Sequence, residues 1–282
     1  MLKKTMKNFM THLKSFINFC REVARHFMAI EGSLKSSSLA YATLISIVPI
    51  MVFSLSFVSL FPSFGSYFQV FHRFVFRHFI PSSAETIQEY VELFANNAIK
   101  LSATGLTFFL MTAVILIFSM ETVFNSIWHV RKRRVGFSAF LMYWASLTLL
   151  PLISATALAF ALFIYQLPYL SFAMKFTSIL IPLALDWLWY FFLFITVPNH
   201  KVQSRHAAIG AIFSAVLFEI TKAIFQIYAS SFSSDTLVYG WLSAIPMFLF
   251  WLYLLWVITI LGAIISYKLQ TRSLGLEKEK PP

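Results

Sequence analysis

Six stretches of the chain are apolar around nearly the whole circumference of a helix, at about residues 37–61, 101–127, 139–165, 176–197, 207–229 and 242–267. Each reaches the roughly 20 residues that a helix needs to cross a hydrocarbon core about 30 Å thick. Backbone groups in hydrocarbon must be satisfied within their own segment, so the pattern predicts an all-α polytopic membrane protein, a bundle of six transmembrane helices. Two other segments carry a different pattern. Residues 1–36 set Phe9, Leu13, Phe16, Ile17, Cys20, Val23, Phe27 and Met28 at helical spacing among Lys3, Lys4, Lys7, Lys14, Arg21, Arg25 and Lys35. This predicts a basic amphipathic helix on the cytoplasmic membrane surface, an orienting anchor whose partner is lipid. Between the first two spans, Ser82-Ser83-Ala84-Glu85 has the form of a capping box, and Ile87, Tyr90, Val91, Phe94 and Ala98 then share one face. That predicts an amphipathic helix in the first translocated-side loop. Residues 268–282 read as a cytoplasmic tail.

Within the spans the exceptions to apolarity are the informative positions. Pro49, Pro151, Pro182 and Pro246 remove backbone donors and are expected to bend their helices. Gly210 and Ser214, and Ala211 and Ala215, form two small-xxx-small pairs that allow a second helix to come close. Glu121, Asp186, Glu219 and Lys222 are charges at span positions, where each costs about 2.5–3.5 kcal/mol on insertion scales unless it finds a partner, a cavity or water. Glu219 and Lys222 are three residues apart and share a helical face. These four form the candidate intramembrane polar site. The run 207–229 that carries two of them is expected in the interior of the bundle.

Composition agrees with this pattern. The chain is 59% hydrophobic and 12% charged, with a mean hydropathy of +0.76, against about 25% charged residues in soluble domains. The net charge of +11 would suit a nucleic-acid partner, but its distribution follows the spans. If both termini are cytoplasmic, seventeen lysines and arginines flank the spans on that side and four, Arg73, Arg77, Lys100 and Lys175, on the other. That asymmetry orients the chain. The run Arg131-Lys132-Arg133-Arg134 lies in a short loop with little surface for nucleic acid, so no nucleic-acid partner is expected. The single cysteine, Cys20, excludes an internal disulfide, and the seven histidines show neither HxH nor HExxH spacing. No metal and no cofactor is implied.

Several stretches resemble one family. SLAYATLISIVPI in the first span, METVFNSIWHVRKRR at the end of the second, and PNHKVQSRHAAIGAIFSAVLFEITKAIFQIYASSF followed by VYGWLSAIPMFLFWLYLLWVITILGA are similar to segments of the YihY/virulence factor BrkB family of bacterial inner-membrane proteins, once wrongly labelled ribonuclease BN. The resemblance runs from about Glu31 to Ile265 and implies a six-span, multi-pass protein of the bacterial cell inner membrane with no established activity. It marks Tyr41, Pro49, Asn125, Trp128, Pro198, Gly210, Tyr228, Tyr239, Gly240, Trp251, Gly262 and Ala263. One departure stands out, because Ile264 occupies a place where the family often has an acidic residue.

Three classes of function compete. A metal-dependent nuclease needs clustered His and carboxylate ligands, which are dispersed here, so an enzyme is not expected. A transporter or translocator of an amphiphile, such as a lipid or lipid-linked envelope precursor, accounts for the deep charges and the prolines. A non-catalytic scaffold or assembly partner for envelope proteins would use the amino-terminal helix and the first translocated-side loop. The bland account of Asp186, Glu219 and Lys222 is that they pair and hold the bundle together.

Overall fold

Residues 2–59, 103–130, 134, 174–232 and 244–275 are described by the computed structural model. They form six helices and no strand: α1 (Leu2–Ala29), α2 (Gly32–Ser59), α3 (Ala103–Ile127), α4 (Met174–Thr196), α5 (Ser204–Phe232) and α6 (Ala244–Ser273). The helix α1 occupies the expected amphipathic segment, and the other five coincide with expected spans. The span expected at 139–165, the loop helix at 82–98, and Tyr239 and Gly240 lie outside the described residues. Among the described residues, Ser204–Tyr228 and Pro246–Ser273 are long and apolar enough to cross a membrane, with mean hydropathies of 1.8 and 2.5. The apolar stretches Val114–Ile127 and Pro182–Thr196 are shorter.

Two boundaries differ from the expectation. Residues 32–36 belong to α2 and not to the amphipathic segment, because the chain turns at Ile30 and Glu31, whose amides close on the His26 and Met28 carbonyls. Glu31 takes a left-handed φ of 56° there. The left-handed residue is Glu31, with Gly32 one place later at the start of α2, so the glycine marks the turn without occupying its left-handed position. At the other end α6 continues to Ser273, so Lys268 and Arg272 sit on its last turns and not in an irregular tail. Basic side chains suit that end of a helix, where the free carbonyls carry partial negative charge.

The helices pack through a small number of close contacts. The α5 helix lies against α4 and α6, while α2 lies against α3 and α6. The tightest crossing is at Gly210 and Gly262. A Cβ added to Gly210 would lie 2.5 Å from the Gly262 carbonyl oxygen, and one added to Gly262 would overlap Ser214 Oγ and lie 3.0 Å from the Gly210 carbonyl oxygen. Only glycine permits this approach. The small residues Ala207, Ala211, Ser214 and Ala215 are wholly buried along the same face of α5, and Ser214 Oγ donates to the Ile258 carbonyl at 3.3 Å. Below the crossing the gap is filled by rings, with Phe218 5.9 Å and Phe225 4.8 Å from Trp251.

The expectation that this run sits in the interior is met on one face only. Ile209, Ile212, Val216, Ile220, Ile224 and Ile227 on the other side of α5 are 41–69% exposed. One side of α5 is therefore a packing stripe of small residues and the other an apolar face built of large ones.

The α1 helix docks on α2 and α6 through its apolar stripe. Val23 and Ile30 are buried, Arg272 of α6 pairs with Glu22 at 2.6 Å, and its guanidinium stacks 4.9 Å from the Phe19 ring. His26 sits in the same seam, 5.0 Å from the Tyr267 ring and 5.5 Å from that of His129. Burial foremost, then the positive charge of Lys268, His129 and Lys35, lowers its pKa to about 4.

Two expected outcomes follow from this packing. Gly210→Ala should destabilise by about 1–3 kcal/mol, the usual cost of overpacking, seen as a lower thermal midpoint, and Ser214→Ala should not rescue it. Gly262→Ala should be partly rescued by Ser214→Ala, because Ser214 Oγ is its worst overlap. For His26, the folded pKa of about 4 lies below the ordinary 6.5, so the unfolded chain holds more protons between those values. Stability should therefore fall as pH is lowered through that window and be unaffected by His26 above it. A thermal melt of His26→Asn at pH 5 and pH 7 should show a smaller difference than wild type.

Candidate functional site

Glu121 and Asn125 stand one turn apart near the end of α3 and are only 2% and 4% exposed. Asn125 Nδ2 donates to Glu121 Oε1 at 3.4 Å, and its Oδ1 accepts the Asn199 backbone amide at 2.7 Å. The Arg134 amide also donates to Glu121 Oε1, at 3.3 Å. The Arg134 guanidinium in turn reaches the carbonyls of Thr196 and Pro198 at 3.2 and 3.1 Å, closing the carbonyl end of α4. Glu121, expected to belong with the deep charges, thus works in a lock that ties the end of α3 to the end of α4. A second lock has the same logic. Gln270 of α6, 5% exposed, accepts from the Gln203 amide at 2.9 Å and donates to the Lys201 carbonyl at 3.0 Å, fixing the chain just before α5.

Sequence reasoning missed Arg134, Asn199 and Gln270 in these roles. Arg134 was read as part of a basic run, and the partners of Asn199 and Gln270 lie 74 and 67 residues away along the chain. Spacing along one helix carries no trace of such pairings.

The other three charges lie nearer the middle of their helices. Asp186, in the middle of α4, is 1% exposed. Tyr190, one turn on and also buried, hydrogen-bonds Thr259 of α6. On α5, Lys222 Nζ meets Glu219 Oε1 at 2.7 Å, with the two side chains 23% and 29% exposed. The shared face read from their spacing is realised as a direct ion pair. Phe218 stands between the two groups: its ring lies 6.5 Å from that of Tyr190 and 5.4 Å from Lys222 Nζ, a cation–π distance. The Phe218 ring thus lies between the Lys222 ammonium and the ring of Tyr190, which stands one turn from Asp186 on α4.

This arrangement offers two chemistries. Asp186 is enclosed, in company with a tyrosine and a threonine. The Glu219–Lys222 pair is open on one side, beside the exposed Ile220 and Ile224, and presents an acceptor and a cation together from an otherwise apolar helix face.

The positions marked by resemblance are mostly packing positions. Asn125, Trp128, Pro198, Gly210, Trp251, Gly262 and Ala263 are all buried. Tyr41 and Tyr228 are 60% and 43% exposed and contribute little to the core. The α2 helix runs through Pro49. Ile264 is fully buried, so a carboxylate in its place would need a buried partner.

A model of the family described as virulence factor BrkB matches residues 23–282. This chain belongs to the virulence factor BrkB family. Its relatives include a UPF0761 membrane protein of Azotobacter vinelandii, 36% identical over 88% of this chain and 62% of the relative. One from Pseudomonas aeruginosa is 34% identical over 96% of this chain and 67% of the relative, and one from Legionella pneumophila 36% identical over 88% and 61%. The chain therefore spans about three-fifths to two-thirds of the length of these relatives. No solved structure matches. The BrkB-family protein is a helical membrane protein, and neither the family description nor its relatives' names specify a catalytic activity.

The ion pair gives a direct test of how this BrkB-family site is held. Lys222→Met should destabilise the protein by about 1–2 kcal/mol, between the values for exposed and fully buried pairs. Adding Glu219→Gln should recover part of that loss, whereas adding Asp186→Asn should recover less. Equal stability of the single and double variants in unfolding experiments would show that the pair contributes nothing.

Proposed function

We propose that this chain is a multi-pass protein of the bacterial inner membrane, with six spans and both termini cytoplasmic. In this reading it handles an amphiphile, a lipid or lipid-linked envelope precursor. The orientation is supported by the excess of lysine and arginine on the proposed cytoplasmic side, including Lys201 before α5, Arg205 in its first turn, and Lys268 and Arg272 on the last turns of α6.

One observation carries the functional reading, the half-open Glu219–Lys222 pair midway along an apolar helix face. Enclosing an ion pair costs desolvation that can exceed its Coulombic gain, so a half-open pair keeps its attraction while staying within reach of a ligand. A pair kept for a ligand has to be reachable. Lys222 suits a phosphate and Glu219 an amine or sugar hydroxyls of a head group. The exposed isoleucines beside the pair suit acyl chains, which can remain in the bilayer while the head group is shielded. In this reading Asp186, buried on α4 one turn before Tyr190, is a second polar station for such a head group. A small hydrophilic solute fits less well, since it would need polar groups on every side.

A non-catalytic envelope scaffold is the competing reading, and the exposed Lys14, Arg21, Arg25 and Met28 on the outer side of α1 support it. Lipid scrambling in vesicles separates the two. Wild type should move labelled lipid above the rate of empty vesicles, and folded Glu219→Gln, Lys222→Met and Asp186→Asn variants should each move it more slowly. If wild type does not exceed empty vesicles, or the folded variants match it, amphiphile handling is refuted and the scaffold reading stands.

A further inference from the structure

We infer that the seam where the turn after α3 meets α1 and α6 binds a phosphate-type oxyanion, held by His26, His129, Trp128 and Lys268. This assignment does not depend on amphiphile handling by the deep charges.

The backbone at His129 supplies the first argument. Val130 N donates to the Asn125 carbonyl at 2.8 Å and His129 N to that of Ser126 at 3.4 Å, with φ of 54° at His129. These are the two bonds of a Schellman cap, and His129 occupies the left-handed position that glycine fills most comfortably. A side chain there costs stability, and the one that occupies the position is an imidazole. The imidazole lies 5.5 Å from the His26 ring and 5.6 Å from that of Tyr267, and Tyr267 also borders Trp128 at 6.2 Å. Four rings from three elements meet here.

The second argument is unmet hydrogen bonding. His26 Nε2 and Trp128 Nε1 are both buried and have no hydrogen-bond partner among the described residues. The indole nitrogen can only donate, and a protonated imidazole donates from both nitrogens. The other nitrogen of His26 is engaged by the Ile127 backbone, so Nε2 becomes a donor when the ring is protonated, and an acceptor with several lone pairs then satisfies both rings.

Charge supplies the third. Lys268 Nζ lies 6.0 Å from the Tyr267 ring, and Lys35 Nζ is held at 2.8 Å by Ser126 Oγ in the turn of chain beside His129. The charged groups that depress ionisation of His26 are Lys268, His129 and Lys35, all positive, and burial together with Lys268 lowers His129 as well. Of the carboxylates close by, Glu22 is committed to Arg272 and Glu31 acts on Lys35. An oxyanion would supply the missing negative charge and let His26 take up a proton. The same chemistry is offered by free phosphate and by the phosphate of a lipid head group, and α1, with its basic outer side, would bring the seam to a membrane surface.

The test uses the full chain in nanodiscs of phosphatidylcholine, with inorganic phosphate titrated against chloride at constant ionic strength. A parallel set of discs contains phosphatidic acid. Thermal midpoint and the His26 titration, followed by NMR, are the readouts. Phosphate or phosphatidic acid should raise the midpoint and shift the His26 titration upward. A response to free phosphate marks a soluble anion as sufficient, and a response only to the doped discs marks the lipid head group; either supports the site. His129→Gly relieves the strained cap, so it should begin with an equal or higher midpoint and yet bind about tenfold more weakly, the scale of one lost charge-assisted hydrogen bond. Lys268→Gln should show the same weakening. The site is refuted if neither anion source changes midpoint or titration, or if both variants respond as wild type does.

Discussion

Two glycine backbones in contact set the geometry on which the rest of this bundle depends. At the crossing of α5 and α6 the open side of Gly210 faces the carbonyl of Gly262, and the relation is reciprocal. Such an approach lets weak Cα–H···O contacts and dense van der Waals packing replace the hydrophobic drive that lipid does not supply. Because the helices touch there, they separate on the far side of the crossing, and the space between them has to be filled by large rings. Phe218, Phe225 and Trp251 fill it, and the polar residues of α4 and α5 are placed by those rings. Enlarging either glycine would therefore be felt at Phe218, and through it at Lys222 and Tyr190.

At the helix ends that lead into the turns after α3 and α4, the packing is of another kind. There the backbone leaves carbonyls and amides without partners within the helix. Arg134, Asn125 and Gln270 satisfy them from distant parts of the chain. Arg134, Asn125 and Gln270 are engaged in holding helix ends and the connecting segment before α5, whereas the ion pair in the middle of α5 is left partly open. Side chains of similar chemistry are thus put to opposite uses, according to whether orphaned backbone groups lie within their reach.

What could be read from the sequence was what repeats within one element. The helical period of α1, the helical character of the apolar runs among the described residues, the small-residue stripe of α5 and the i, i+3 spacing of Glu219 and Lys222 all depend on neighbours along the same helix, and they are found as read, although Ile17, Cys20 and Met28 of the apolar set of α1 are exposed. Partnerships across the chain were not legible. Nothing local distinguishes Arg134, which closes a helix, from its basic neighbours in the sequence. The two left-handed turns were also hidden, because Glu31 and His129 stand where a reader looks for glycine. The interior placement expected of α5 is met on one face only, for a related reason: charge and small residues identify a packing face, but they do not say whether the opposite face is covered as well.

The bond between Glu22 and Arg272 joins residues 250 positions apart, and this sets an order of events during synthesis. At about 5–20 residues per second, the ribosome needs roughly 10–50 s to extend from one partner to the other. Throughout that interval α1 has been made and its last clasp has not. An apolar stripe left uncovered for so long invites wrong partners, and the lysines and arginines beside it give the helix a provisional resting place on an anionic bilayer. The amphipathic character of α1 can thus be seen as an answer to waiting, with the clasp marking the moment when α1 and the last turns of α6 are brought together.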